Sequence, residues 1–208
     1  SYHTYSHLPI RDYRPYAIGK NIINDMTLPE GAKVDVYEDV WKYEVNGTVN
    51  EYSTADKPWE IEGAEFVDRQ TKLIEEGDHP PIHDFSIESD ALGDITDSVL
   101  AASNSLVFVM YDLTKSNLDA LKTTEKIING LSDETLTVVA LSATTESQME
   151  QIVKNADISY PFYFTDETTL KTIVRSNPGM LWLKEGTIVA KWHHNDFPDS
   201  ENLINQFL

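Results

Sequence analysis

The second half of the chain alternates between short apolar runs and amphipathic segments. Leu106–Tyr111 and Leu136–Leu141 are apolar without alternation, which is typical of strands covered on both faces of a sheet. Between them, Ser116–Leu131 carries apolar residues at helical spacing, and Asp119 stands in the first turn, where a carboxylate favours the helix dipole. This pattern predicts an α/β domain with a mostly parallel sheet and right-handed crossovers.

Capping signals place the other helices of this half. Asp94 or Thr96 caps a short helix, Thr145 and Gln148 form a capping box, and Asp166 caps a further helix. The predicted order from residue 84 is β α β α β α β α β β α. Its strands before the last hairpin are residues 84–87, 106–111, 136–141 and 161–165. Residues predicted to face the core or end a helix are Leu118, Leu121, Ile128, Gly130, Leu203, Ile204 and Phe207.

The stretch Ile173–Trp192 predicts a helix end, a break at residues 177–179, and a hairpin that turns at Glu185–Gly186. The expected cross-strand pairs are Leu183 with Ile188 and Trp182 with Val189. Pro178 has no N–H to donate to a ladder, so it belongs at a strand start or edge. Its peptide bond can be cis or trans.

Residues 33–53 predict a second hairpin. Val36–Val45 alternates, and Asn46–Gly47 is a strong two-residue turn signal. The turn would pair Trp41 with Tyr52 and Lys42 with Glu51. The signal then weakens: residues 66–67 and 73–74 indicate a short strand or helix, and residues 79–81 a linker. A β-hairpin extension is therefore predicted over residues 33–81, before a main domain over residues 82–208.

Residues 1–32 open with tyrosines, arginines and prolines, which favour an extended strap over a helix. Aromatic and basic residues also collect where a chain leaves a bilayer, so the strap is either a surface segment or a juxtamembrane one. Arg11, Arg14 and Lys20 indicate the cytoplasmic side by charge bias. The first residue is Ser1 rather than methionine, from which we expect a processed protein or part of a longer one.

Composition excludes several classes of function. The formal net charge of −19 disfavours nucleic acid and anionic membrane surfaces as partners. The chain has no cysteine, so disulfides, thiolate metal sites and thiol redox chemistry are excluded. The longest apolar run is far shorter than the roughly 18–20 residues that a membrane span requires.

The histidines and serines give little support to other chemistry, and we predict neither a metal nor a cofactor. His193 and His194 are adjacent, so on a strand they would point to opposite faces, and the prolines between His79 and His83 prevent a helix that would align them. Ser142 or Ser176 could be combined with His193 into a triad, but no nucleophile-elbow motif is present. Most carboxylates stand where helix caps are needed.

A proline at the mouth of a hairpin, after alternating strands and helices, resembles the cis-proline corner of thioredoxin-like domains of the larger, peroxiredoxin-related kind. The resemblance implies that the redox motif would fall on residues 114–117, where both cysteine positions are non-thiols. It also implies that this helix start and the proline corner meet and form a vestigial peptide or anion groove. The residues of that groove would be Thr114, Ser116, Asn117, Asn177 and Pro178.

Longer motifs are similar to the soluble C-terminal region of bacterial DoxX-type membrane proteins. They are residues 79–87, 94–97, 160–162, 170–179 and 184–188, together with the opening residues 7–16. The resemblance implies a membrane-embedded half of the same protein and, from the usual location of such appendages, the periplasmic side. These motifs carry no known chemistry.

Three hypotheses follow. The first is a non-catalytic, redox-inactive thioredoxin-like domain of a membrane protein that serves binding or assembly, with a peptide or protein as partner. The second is a cysteine-independent hydrolytic enzyme that uses carboxylates and His193, for which one pocket should hold His193 with two carboxylates. The third is a purely structural module of a membrane protein, for which residues 1–20 should carry an apolar patch.

Overall fold

The computed structural model describes residues 7–9, 11–131, 135–156 and 158–208. The chain forms two compact units. The smaller unit is Leu28–Pro80, and the larger one combines Pro81–Leu208 with the part of the chain before Leu28. No helix in the described ranges has the length and apolar character needed to cross a bilayer.

The smaller unit is a three-stranded antiparallel sheet. Its strands are β1 (Val36–Val45), β2 (Thr48–Ser53) and β3 (Glu65–Glu75), in the order β2-β1-β3. The predicted pairs Trp41–Tyr52 and Lys42–Glu51 are confirmed. The turn between β1 and β2 has positive φ at both Asn46 and Gly47, as a tight hairpin turn requires.

Residues 66–67 and 73–74, predicted as a short strand or helix, both belong to β3, which adds a third strand along the other edge of β1. The sequence signal of β3 is weak since nearly all its residues are exposed, so hydrophobic alternation is poor. Aromatic contacts join β1 to β3 and to the turn between β2 and β3: the Trp41 ring lies 5.6 Å from Trp59 and 6.4 Å from Phe66. The Arg69 guanidinium sits 4.8 Å from the centre of the Trp41 ring.

The larger unit contains the alternating region predicted from the sequence. Its helices are α1 (Ile22–Asp25), α2 (Thr96–Ala101), α3 (Leu118–Gly130), α4 (Glu146–Ala156), α5 (Glu167–Ile173) and α6 (Ser200–Phe207). Its strands are β4 (Glu88–Ser89), β5 (Gly93–Asp94), β6 (Ser105–Val109), β7 (Thr137–Ser142), β8 (Phe162–Phe164), β9 (Gly179–Lys184) and β10 (Thr187–His193).

These strands form one sheet in the order β10-β9-β6-β7-β8-β4-β5. β6, β7 and β8 are parallel, and β9 runs antiparallel to β6 with β10 beyond it. A parallel centre with a C-terminal antiparallel hairpin is the thioredoxin-like arrangement, so the predicted α/β fold class is confirmed.

The central strands bury both of their faces. Val107, Leu141 and Leu181 point to one core, with α2 and α5, whereas Phe108, Ala140 and Trp182 point to the other, with α3 and α6. This double burial is the physical reason why β6 and β7 read as continuous apolar runs. It also provides a rigid base for the loops at the strand ends.

The part of the chain before Leu28 packs within the larger unit. Tyr16 and Ile22 are buried in the first of the two cores. Asn21 caps α1 and forms a bridge with Thr187 at the start of β10. Residues predicted as an extended strap thus include a short helix, which forms because Asn21 supplies the cap that a single turn needs.

Three local predictions were wrong. Residues 84–87 form no strand, because Ile87 uses its backbone groups for Thr96 and Ile95 instead of a neighbouring strand. Leu118 is 60% exposed rather than in the helix stripe, because α3 begins at that residue. Gly130 is the last residue of α3 and not its cap; a Cβ there would lie only 2.6 Å from Ser200 Cβ, so close packing with α6 explains the glycine.

The C-terminal hairpin differs from its predicted register by one residue. Leu183 pairs with Ile188 as predicted, but Trp182 pairs with Ala190 and not with Val189. A bulge between residues 188 and 190 causes the shift, and alternation alone cannot reveal an inserted residue. The turn at Glu185–Gly186 is confirmed, with positive φ at both residues.

Candidate functional site

The helix start before α3 and the proline before β9 meet in the larger unit. The hydroxyl of Ser116 lies 3.1 Å from Asn177 Oδ1, and the Asn117 N–H donates to the Asn177 carbonyl at 3.3 Å. The Asn177–Pro178 peptide bond is cis, and Pro178 is buried. The fold therefore brings together Ser116, Asn117, Asn177 and Pro178.

Asp112 is the centre of the hydrogen bonds at this corner. Its carbonyl accepts from Asn177 Nδ2 at 2.6 Å and from the Ser116 hydroxyl at 3.1 Å. Its carboxylate accepts from Lys115 Nζ and from the Thr114 backbone and hydroxyl. The hydrogen bond from Lys115, followed by that from Thr114, holds the pKa of Asp112 below its ordinary value. Thr114 thus faces Asp112 in a 3₁₀ turn, whereas Ser116 and Asn117 make the contacts with Asn177.

We call Asp112, Ser116, Asn117 and Asn177 the corner clamp. The Asn117 side chain is also engaged, because its Oδ1 caps α3 by accepting from the Ala120 N–H at 2.9 Å. In the corner clamp, the Asp112 carbonyl, the Ser116 hydroxyl and the Asn177 carboxamide form hydrogen bonds with one another. The residue types at this position have no thiol chemistry, and the clamp holds the helix start to the corner.

Sequence reasoning missed Asp112. A signal for it exists, since an aspartate directly after a buried strand and before a turn is a favoured site for bonding the backbone two residues on. Its long-range role through the carbonyl oxygen has no sequence signal, because every residue has a carbonyl.

The histidines near the chain end lie together, contrary to prediction. The rings of His193 and His194 are 4.1 Å apart, and His7 Nδ1 lies 2.7 Å from Asp196 Oδ1 beside them. The expectation of opposite faces failed because β10 ends at His193 and a 3₁₀ turn begins at His194. Burial lowers the pKa of both His193 and His194.

The serines considered for a triad are both buried and bonded. Ser176 accepts from the His194 N–H at 2.9 Å, lies 3.0 Å from His194 Nδ1 and donates to the Pro178 carbonyl. Ser142 donates to the Met110 carbonyl at 2.8 Å. Ser176 is only 2% exposed, so it bridges two backbone segments and is inaccessible to a substrate. Within the described ranges, no three acidic or histidine side chains are grouped as metal ligands.

A buried ion pair, also missed from the sequence, joins the N-terminal segment to β10. Lys191 Nζ donates to Asp12 Oδ2 at 2.9 Å and to the carbonyls of Tyr16 and Ile173. Arg14 donates two hydrogen bonds to the Asp12 carboxylate, from Nε to Oδ1 and from Nη2 to Oδ2. Burial raises the pKa of Asp12, but the hydrogen bonds from Arg14 and Lys191 outweigh it and hold the pKa well below its usual range.

A cleft of about 700 Å³ lies at the β8–β4–β5 edge of the larger unit. Apolar side chains such as Met149, Val153 and Phe162 line it, and carboxylates such as Glu88 and Glu150 are at its margin. The cleft adjoins the turn that follows Asp112, because Thr144 lines the cleft and accepts from the Leu113 N–H at 2.9 Å.

No protein-family model and no curated protein matches the sequence. Among solved structures, StoA from Bacillus subtilis is 12% identical with a TM-score of 0.43, covering 58% of this chain and 93% of its own. A thioredoxin-like protein from Aeropyrum pernix is 12% identical with a TM-score of 0.44, covering 59% and 86%. A thiol:disulfide interchange protein from Bacteroides sp. is 15% identical with a TM-score of 0.43, covering 59% and 84%. Because these scores are below 0.5, the sheet topology itself carries the fold assignment.

Proposed function

We propose that this chain is a redox-inactive thioredoxin-like domain of a membrane protein and serves binding or assembly rather than catalysis. The observation that carries the proposal is the corner clamp. Within residues 114–117, where the redox motif of the fold would lie, Ser116 and Asn117 are hydrogen-bonded to Asn177. With no cysteine in the chain, hydrogen bonds hold the corner without any thiol that can exchange electrons or form a mixed disulfide.

The partner in this proposal is a peptide or protein segment that docks at the outer face of the corner. Thr114 and Asn117 are exposed there, and Asn177 is half-buried. The remaining accepting capacity of the Asn177 side chain and the Thr114 hydroxyl would supply polar contacts. The membrane-embedded half of the same protein is the first candidate, in line with the likeness to DoxX-type proteins.

Peptide docking at the corner predicts a site-specific loss of binding. A peptide selected from a displayed combinatorial library against this chain should bind Thr114→Trp at least about tenfold more weakly, since the indole blocks the corner. Thr27→Trp is the matched control, because Thr27 is exposed and follows α1, which bonds to the β9–β10 turn at the opposite end of β9 from Pro178. Fluorescence anisotropy measures both affinities. Failure to select any peptide, or an equal loss with Thr27→Trp, contradicts docking at the corner.

Membrane attachment predicts where the native protein is found. After cell fractionation, an antibody to this chain should detect it in the membrane pellet, and washing with high salt and carbonate should not release it. Added protease should digest the domain in spheroplasts if it faces the periplasm. Recovery in the soluble fraction contradicts attachment, and protection in intact spheroplasts contradicts the periplasmic side.

One observation favours a second candidate, a structural module that supports the membrane half. Tyr13 is 86% exposed and Ile18 is 60% exposed, so apolar surface is present within the first 20 residues as that role requires. This candidate would be preferred if the library yields no peptide while the chain still fractionates with membranes. The hydrolytic alternative lacks comparable support, because His193 is only 4% exposed and lines neither the cleft of about 700 Å³ nor the cleft of about 450 Å³ between Arg14 and Arg175.

A further inference from the structure

A second cleft in the larger unit, of about 450 Å³, is unusually cationic. Its lining residues are Arg14, Tyr111, Thr168, Lys171, Thr172, Val174 and Arg175. Three of these seven carry positive charge and none is a carboxylate, although the chain has 35 acidic residues and only 16 lysines and arginines. The surplus of positive charge at this place therefore cannot be attributed to composition.

The cations at this cleft are only partly neutralised. Arg14 uses Nε and Nη2 for Asp12 at 2.7 and 2.8 Å, whereas its enclosed Nη1 has no hydrogen-bond partner in the described structure. Arg175 is exposed and forms no ion pair with any residue that the structure describes. The enclosed Nη1 of Arg14 is costly to leave unsatisfied, and an oxyanion in the cleft would satisfy it and pair with Arg175.

Lys171 and Tyr111 complete the wall. The Lys171 ammonium lies 2.6 Å from Glu167 and 5.6 Å from the centre of the Tyr111 ring, so its position is held by an ion pair and by the aromatic face. Asp166 accepts from the N–H of the lining residue Thr168 at 2.8 Å, so with the buried Lys191 bonded to Asp12 four cations stand against three carboxylates around the cleft. The local electrostatic balance is positive in a protein whose overall charge is strongly negative.

We propose that this cleft binds a small organic anion that carries a carboxylate or phosphate group. The volume is within the range of about 300–1,000 Å³ that small-molecule sites occupy. The planar guanidinium of Arg175 suits two-oxygen recognition of carboxylate or phosphate, Arg14 adds its Nη1 group, and Lys171 adds a point charge. The ring of Tyr111 gives the organic part an apolar surface. This site does not depend on docking at the corner.

Isothermal titration calorimetry tests the site with two probes, succinate and inorganic phosphate, at constant ionic strength set with sodium chloride. At least one probe should bind with saturable heat to the whole chain. Arg175→Gln should weaken that binding by about tenfold or more, because it removes the guanidinium group that forms no ion pair with any described residue. Lys126→Gln, which removes an exposed cation on α3 of the same unit, should change it less than about twofold.

The two probes also distinguish the ligand classes. Binding of succinate alone assigns a carboxylate ligand, binding of phosphate alone assigns a phosphate ligand, and binding of both assigns a general oxyanion site. The inference is overturned if neither probe gives saturable heat, or if Arg175→Gln and Lys126→Gln weaken binding equally. Arg175 is exposed, and near-UV circular dichroism of the variant should match the parent chain.

Discussion

Replacing Asp12 by alanine is expected to lower the free energy of unfolding of the larger unit by about 3 kcal/mol. The Lys191 side chain is only 2% exposed, so removal of its partner leaves an uncompensated charge inside the protein. The effect should be at the lower end of the range for buried pairs, since the Asp12 side chain is still 16% exposed. Urea denaturation followed by tryptophan fluorescence measures the change.

Matched variants separate the buried pair from a general loss of acidity. Asp90→Ala removes an exposed carboxylate and should change stability by less than about 0.5 kcal/mol. The double variant Asp12→Ala, Lys191→Met removes both charges and should recover part of the loss, because the carbonyls of Tyr16 and Ile173 then lack their donor. If Asp12→Ala and Asp90→Ala lowered the free energy of unfolding equally, the buried ion pair between Asp12 and Lys191 would not contribute to stability.

The same pair predicts a dependence on pH. The folded-state pKa of Asp12 is lower than the unfolded value of about 3.9, so its stabilising contribution is complete above that value and declines as pH falls towards the folded pKa. The stability difference between the parent chain and Asp12→Asn should therefore be constant near neutrality and shrink below about pH 4. A difference that grew on acidification would contradict this assignment.

Replacing Asn177 by alanine should cost about 1–3 kcal/mol, the second largest effect expected. The side chain joins the Asp112 carbonyl to the Ser116 hydroxyl, and its removal leaves both segments without this link. Asn129→Ala is a suitable control, because Asn129 is exposed and makes only a 3.5 Å contact with Glu125. The control should stay within about 0.5 kcal/mol of the parent chain, and a loss as small for Asn177→Ala would argue against the clamp.

The sequence was informative wherever one physical rule dominated. β6 and β7 were predicted as strands because burial on both faces makes them continuous apolar runs. The register of β1 and β2 was predicted because a two-residue turn at Asn46–Gly47 sets which residues pair. The bulge in β10 escaped prediction, and the third strand of the smaller unit was predicted only as a short strand or helix. A bulge adds a residue without changing composition, and β3 is too exposed to show a hydrophobic period.

The sequence indicated where the corner clamp lies but not which hydrogen bonds hold it together. The convergence of Ser116 and Asn117 with Asn177 was implied by the resemblance to thioredoxin-like domains. The roles of Asp112 and Lys191 did not follow, since each depends on backbone carbonyls brought together from distant parts of the chain. Residues of this kind become visible only when the folded positions are known.

A double-mutant cycle between Ser116 and Asn177 tests most directly whether the corner is held by its own hydrogen bonds. The cycle compares unfolding free energies of the parent chain, Ser116→Ala, Asn177→Ala and the double variant. A clamp predicts a coupling energy of about 1 kcal/mol, because either substitution alone already breaks the shared contact. Effects that add to within about 0.3 kcal/mol would contradict the clamp.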